Sequence, residues 1–183
     1  MRIIAGKSRG TQLAEVGKGD AEAHLRPTSD RVRESLFSML ASHNVINGAH
    51  VLDLFAGTGA LGLEALSRGA RDVVFVENGR FAQKLITENI KKLRAEGETT
   101  LMRSDATTLG GWIAAPFDLV FLDPPYGKAM GQAALTKALA GGWLAKGAMI
   151  VWEESAAMDP PDGFTRIEKR KYGDTWITFL NVS

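Results

Sequence analysis

Four consecutive residues, Asp123-Pro124-Pro125-Tyr126, combine an acid, a stiffened backbone and an aromatic ring. Two prolines restrict the turn and leave carbonyl groups that no local amide can claim. The Asp123 carboxylate and the Pro124 carbonyl can each accept one hydrogen of an exocyclic amine, and Tyr126 offers a stacking face for a planar base taken out of its helix. An amine held by two such bonds has its lone pair fixed in direction, which is the placement that alkyl transfer to nitrogen requires. Such a transfer needs no histidine base, because the proton can leave afterwards. His24, His43 and His50 therefore read as surface or structural residues.

A second constellation stands at Asp53-Leu-Phe-Ala-Gly57-Thr-Gly59-Ala-Leu-Gly62. Glycines allow a sharp turn and bring bare amides close to a ligand at a helix N-terminus. Gly57, Gly59 and Gly62 satisfy GxGxxG, and Glu77 lies 20 residues beyond Gly57, so a dinucleotide site is one reading. Asp53 favours another. It would face the pyrophosphate of a dinucleotide with like charge, whereas S-adenosylmethionine brings an ammonium and a sulfonium cation. Asp53 can also simply cap the turn. Glu77 is placed to accept ribose hydroxyls or, with Asn78, to cap the next helix. Asp105, in Ser104-Asp105-Ala106, can accept from an adenine amino group or cap the short helix after it.

The elements that must position these residues begin at 50. Apolar runs at 50–55, 72–77, 99–104, 117–122 and 148–152 predict strands, and helices are expected near 60–68, 79–95, 107–114 and 131–145. Phe81, Leu85, Ile86, Ile90 and Leu93 recur at helical spacing. This alternation predicts an α/β fold with a mostly parallel sheet covered on both faces. Residues 164–182 break the rhythm and read as an antiparallel hairpin turning at Gly173-Asp174. Before the sheet, residues 2–13 read as a β-hairpin around Gly6 and Gly10, and 15–24 as a loop. A helix then opens at Pro27-Thr28-Ser29-Asp30, with Thr28 or Ser29 as cap and Val32, Leu36, Met39 and Leu40 on one face. One domain, 1–183, is expected, with 1–25 as a hairpin and linker extension.

At 183 residues and 45% hydrophobic content, the chain can bury a real core. The absence of cysteine excludes disulfides, thiolate zinc sites and a cysteine nucleophile, and no metal is expected. No signal peptide or membrane span is legible, so the expected setting is cytoplasmic, as a monomer. The net charge of +1 is unevenly spread: residues 1–33 carry +3, 34–163 carry −4 and 164–172 carry +3. Basic ends on a neutral chain fit either a nucleic-acid footprint or solvated surface. In the first reading Arg2, Lys7, Arg9, Arg26, Arg31 and Arg33 contact RNA phosphates. Against the methyltransferase reading stand an NAD-dependent oxidoreductase, which lacks a catalytic His, Lys or Ser-Tyr-Lys set here, and a non-catalytic nucleic-acid-binding module.

DLFAGTGALGLEAL followed by LDPPY resembles class I methyltransferases that modify exocyclic amines of nucleic acids. With RIIAGKSRGTQL and RPTSDRVRESLFSML added, the chain resembles the RsmD family of small-subunit rRNA guanine-N2 methyltransferases over nearly its whole length. The resemblance implies a Rossmann-like, seven-stranded sheet and S-adenosyl-L-methionine as cofactor. It implies cofactor contacts at Asp53, Phe55, Ala56, Gly57, Thr58, Gly59, Glu77, Asn78, Ser104, Asp105 and Ala106, and a catalytic set of Asp123, Pro124, Pro125 and Tyr126. It further implies ribosomal RNA or the small ribosomal subunit as partner, an RNA-holding N-terminal hairpin, and a flap at Lys128 to Gly131. DPPY is shared with adenine-N6 methyltransferases of DNA and RNA, so adenine-N6 remains the alternative product.

Overall fold

The computed structural model describes residues 1–15 and 28–183. Seven strands form one sheet in the order β3-β2-β1-β4-β5-β7-β6. They are β1 (His50–Leu54), β2 (Asp72–Val76), β3 (Thr99–Met102), β4 (Phe117–Leu122), β5 (Leu144–Glu154), β6 (Phe164–Tyr172) and β7 (Thr175–Val182). The first five run parallel, and β7 and β6 close the sheet antiparallel. The order reverses between β1 and β4, and a crevice opens outside the strand ends at such a reversal.

Period-two alternation sends successive β4 side chains to opposite cores. Leu119 and Phe121 face the layer of α1 (Asp30–Ser42), α2 (Ala60–Ser67) and α3 (Arg80–Lys92), with Phe37, Leu63, Leu66 and Ile86. Val120 and Leu122 face the layer of α4 (Met130–Ala140), with Leu135, Ala138, Trp143 and Trp152. Every residue of β1 is buried, as a central parallel strand covered on both faces must be. Among the described residues no helix is long and apolar enough to cross a membrane.

Four expected elements differ. The helix expected at 107–114 is a single 3-10 turn, Ala106–Thr108. Gly110 and Gly111 follow it, and the chain is held instead by Trp112 stacked on Trp143 and by the Trp143 indole donating to the Gly110 carbonyl (2.8 Å). The helix expected to reach 145 stops at Ala140, because Gly141 and Gly142 end it and Trp143 turns into the core. β5 accordingly runs from Leu144 to Glu154, longer at both ends than 148–152. The N-terminal hairpin is reduced to one antiparallel bridge, Arg2 opposite Gln12.

That N-terminal arm lies along α2. The buried Glu64 carboxylate accepts from the amides of Ile4 (2.9 Å) and Ala5 (3.1 Å) and from Arg68. Gly6 sits so close that a Cβ would stand 1.8 Å from the Ser67 carbonyl oxygen, with φ at +85°, so only glycine fits.

Candidate active site

The C-terminal ends of the parallel strands carry acids. Leu54 is paired with Val76 on one side and Leu122 on the other, and Leu122 with Trp152. The residues at or just beyond these pairs, Asp53, Glu77, Asp123 and Glu153-Glu154, are therefore gathered on one edge. The Asp123 amide donates to the Leu54 carbonyl (3.5 Å), which ties the DPPY turn to the start of the glycine loop.

The glycine loop leaves β1 with Phe55 in the left-handed region (φ 58°), a conformation costly for a side chain of that size. Ala56 donates to the Val76 carbonyl (3.2 Å), Gly59 donates to Ala56 (2.7 Å), and Gly59, at φ 77°, starts α2. The Asn89 side chain of α3 donates to the Thr58 carbonyl (2.9 Å) and exchanges hydrogen bonds with both backbone groups of Ala14. One buried amide thus joins the N-terminal arm to the loop.

Each expected cofactor acid has a structural task. Asp53 accepts from the Gly62 amide (3.0 Å). Glu77 accepts from Gly57 (2.9 Å) and from Gly79 (2.7 Å), which pins the loop and opens α3. Asp105 accepts from the amide and hydroxyl of Thr107 and caps the 3-10 turn. Ser104 and Ala106 flank it, and Asn78 is exposed beside Glu77. Capping leaves carboxylate lone pairs available, so the tasks are compatible with ligand contact.

Asp53 is 2% exposed, and burial pushes its pKa up to about 8; the Gly62 bond opposes this and Glu77 adds to it. Asp123 is raised well above the ordinary carboxylate range by burial, then by Glu153, Asp53 and Glu154. Carboxylates whose electrostatic neighbours are other carboxylates suit a cationic ligand and oppose a pyrophosphate. The residues present therefore fit S-adenosylmethionine.

Glu153 and Glu154 were not anticipated. Glu153 accepts from the Tyr126 hydroxyl (3.2 Å) and from the Thr28 hydroxyl (2.9 Å), and its pKa is raised by burial, which those two bonds oppose. Tyr126 also meets the Thr175 hydroxyl (3.2 Å) on β7, and its pKa is pushed up to about 12, chiefly by burial. Glu154 accepts from the Gly127 amide (3.3 Å) and from Ser155. Tyr126 is thus oriented through its hydroxyl as well as offering a ring. The available signal was an acid pair ending an apolar strand run, but it fell past the expected end of β5. The sequence left the cap open between Thr28 and Ser29: Ser29 caps α1, and Thr28 reaches Glu153.

Of the expected RNA contacts, Arg33 is corrected. It is completely buried, donates to the Arg2 carbonyl (2.8 Å) and to Asp30 (2.5 Å), and cannot reach a phosphate from there. Burial lowers its pKa, while Glu64 and Asp30 support the charge. Arg2, Lys7, Arg9 and Arg31 are exposed, although Arg2 lies 3.8 Å from Asp30 and Lys7 pairs with Glu98 at 2.6 Å. Arg26 lies outside the described residues. Of the expected flap at Lys128 to Gly131, Met130 and Gly131 belong to α4, and Gly131 packs against the Trp152 indole.

Comparisons with known proteins give the chain a family and a fold likeness. The profile of the family described as conserved hypothetical protein 95 matches residues 1–181. Ribosomal RNA small subunit methyltransferase D of Escherichia coli (strain K12) is 39% identical over 153 residues, covering 84% of this chain and 74% of that protein. The protein of the same name from Haemophilus influenzae is 32% identical over 180 residues, covering 94% and 89%. The solved structure of the Escherichia coli protein yhhF superimposes with a TM-score of 0.84 at 34% identity, covering 100% of this chain and 97% of that one. The Rossmann-like methyltransferase architecture is thereby shown.

Proposed function

We propose that this chain, which belongs to the RsmD family, is a ribosomal RNA methyltransferase that transfers the methyl group of S-adenosylmethionine to the exocyclic N2 of a guanosine in small-subunit RNA. The observation that carries the reading is the placement of the Asp123-Pro124-Pro125-Tyr126 turn beside the Asp53 loop, on the two central strands where the sheet order reverses. The names of the relatives support the ribosomal substrate, and hence a cytoplasmic setting.

In this reading Asp53 faces the positive end of the cofactor, Glu77 the ribose and Asp105 the adenine. Phe55 through Gly59 close over them with backbone groups. When bound, the cofactor supplies an already activated methyl group. The chain then has two tasks. The first is to hold the target nitrogen in line. Asp123 and the Pro124 carbonyl accept its two hydrogens, while Tyr126, fixed through its hydroxyl, stacks on the base. The second is to stabilise positive charge growing on that nitrogen, which the acid cluster does in a partly dry site. Positive charge in the site opposes the raised pKa of Asp123 and favours its carboxylate. Proton loss follows methyl transfer.

Tritiated-methyl transfer, with total RNA, small ribosomal subunits and DNA offered in parallel and nucleosides analysed afterwards, tests the assignment. N2-methylguanosine in small-subunit RNA is expected. N6-methyladenosine, or label in DNA, would keep the chemistry and overturn the substrate. Absence of cofactor binding would overturn both.

A further inference from the structure

The middle of the chain counts as acidic, yet part of that acid is withdrawn from the surface. Asp53, Glu64, Glu153 and Glu154 are buried, and Asp123 lies within the site. Four of its exposed cations meet in one open cleft of about 630 Å³ between α3 and the end of β3. Arg80, Lys84 and Lys91 fall at i, i+4 and i+11 on α3, with Thr87 between them, so they line one helical face about 16 Å long. Arg103, which follows β3, supplies the other wall. All four cationic residues are exposed. Glu88 is the one acid lining this cleft, and it is paired with Lys92 at 3.1 Å.

Two features separate this cleft from an ordinary solvated helix face. First, Arg80 is the opening residue of α3 and no acid occupies the first turn, so a cation stands where the helix dipole disfavours it. Arg80 and Lys84 also repel each other one turn apart. Positive potential is concentrated there at a small cost in stability. Second, the cleft is continuous with the cofactor side of the sheet: Gln83, in its wall, donates to the Glu77 carbonyl at 2.9 Å.

We infer that this cleft is a track for an RNA backbone, with Arg80, Lys84, Lys91 and Arg103 contacting phosphates on the flank of the sheet beyond the cofactor loop, two strands away from the Asp123 turn. The inference rests on the proposed RNA substrate. It differs from the expected footprint on the basic N-terminal arm, because these residues lie in the segment whose net charge is negative. The cations are long, exposed and spaced along one wall, so they recognise backbone charge and not base sequence.

The test compares full-length Lys84→Gln/Lys91→Gln with Lys137→Gln/Lys146→Gln, which removes the same charge from exposed positions on α4 and at the opposite end of β5. Filter binding to purified small-subunit ribosomal RNA is measured from 50 to 400 mM KCl, with cofactor affinity measured by calorimetry. Losing two phosphate contacts should lower the salt slope by about 1.4 and weaken binding about 25-fold at 0.1 M salt. The control pair should change binding less than about threefold. Cofactor affinity should stay within about twofold of the parent in both variants. Unchanged binding in the α3 pair, or an equal loss in the control pair, overturns the inference. A parallel loss of cofactor affinity assigns the residues to the cofactor site and overturns it as well. If the unsubstituted protein itself neither binds nor methylates RNA, it is the proposed function that fails.

Discussion

Asn in place of Asp53 should make the cofactor-free protein more stable and the enzyme worse. Asp53 is buried, accepts one hydrogen bond from Gly62, and has Glu77 as its electrostatic neighbour, so its pKa rises from 3.8 to about 8. Between those values the folded protein holds a proton that the unfolded chain has released. Stability is therefore fully present below about pH 4 and is lost as pH rises through about 8. At about 1.4 kcal/mol per pH unit, the ceiling on that loss is about 6 kcal/mol. Asn keeps an oxygen for the Gly62 amide and has no charge to desolvate. Thermal unfolding of Asp53→Asn and parent, each without cofactor, should coincide near pH 4 and diverge with rising pH. By pH 8.5 the variant should be higher by about 5–15 °C, at about 2–4 °C per kcal/mol for a chain of this size. Calorimetric affinity for S-adenosylmethionine at the same pH should fall at least about tenfold, the cost of losing one charged hydrogen-bonding partner. In the parent, binding below about pH 8 should release a proton, visible as a heat that depends on the buffer. A variant less stable than the parent at pH 8.5 would refute the desolvation argument. Unchanged affinity would refute the ligand role.

Asp123→Ala should lower methyl transfer by about 10²–10³-fold with cofactor affinity near normal, as removal of a charge-stabilising acceptor does; near-normal single-turnover rates would remove Asp123 from the centre. Tyr126→Phe should cost about tenfold in rate, because the bonds to Glu153 and Thr175 that orient the ring are lost, and Tyr126→Ala should cost a further about 10–100-fold through lost stacking. Equal effects of the two would place the function in the hydroxyl alone. Glu153→Gln should preserve the fold and the hydroxyl contacts while moving the acidic limb of the pH–rate profile to lower pH, since burial still raises Asp123 but one of the negative charges that add to it disappears; an unmoved profile would leave Glu153 a structural residue only. Gly6→Ala should destabilise by about 2–4 kcal/mol in denaturant titrations, from the clash with the Ser67 carbonyl combined with a positive φ.

Much of the architecture was legible because parallel strands buried on both faces leave long apolar runs, and amphipathic helices leave a 3.6-residue period. The failures came where neither signal operates. Residues 107–114 lack the apolar period of a helix of that length, and the glycines after Leu109 let aromatic packing dictate the path. The two glycines at 141 and 142 stop α4, and the apolar Leu144 beyond them opens β5 instead of prolonging the helix.

The reaction centre could be read without coordinates, since Asp123 to Tyr126 are consecutive and the glycine loop is local to one strand–helix junction. Residue type and order suffice where the chain itself holds the groups together. Burial and partnership are different, because they depend on what arrives from distant segments. Arg33 looked like a phosphate contact until α1 and the N-terminal arm enclosed it. Glu153 meets a hydroxyl 125 positions away, and Asn89 meets Ala14 75 positions away. Net charge along the chain misled for the same reason. Folding drew several acids of the middle segment inward and left four of its cations lining one cleft, so the surface that a ligand meets has a different sign from the sequence beneath it.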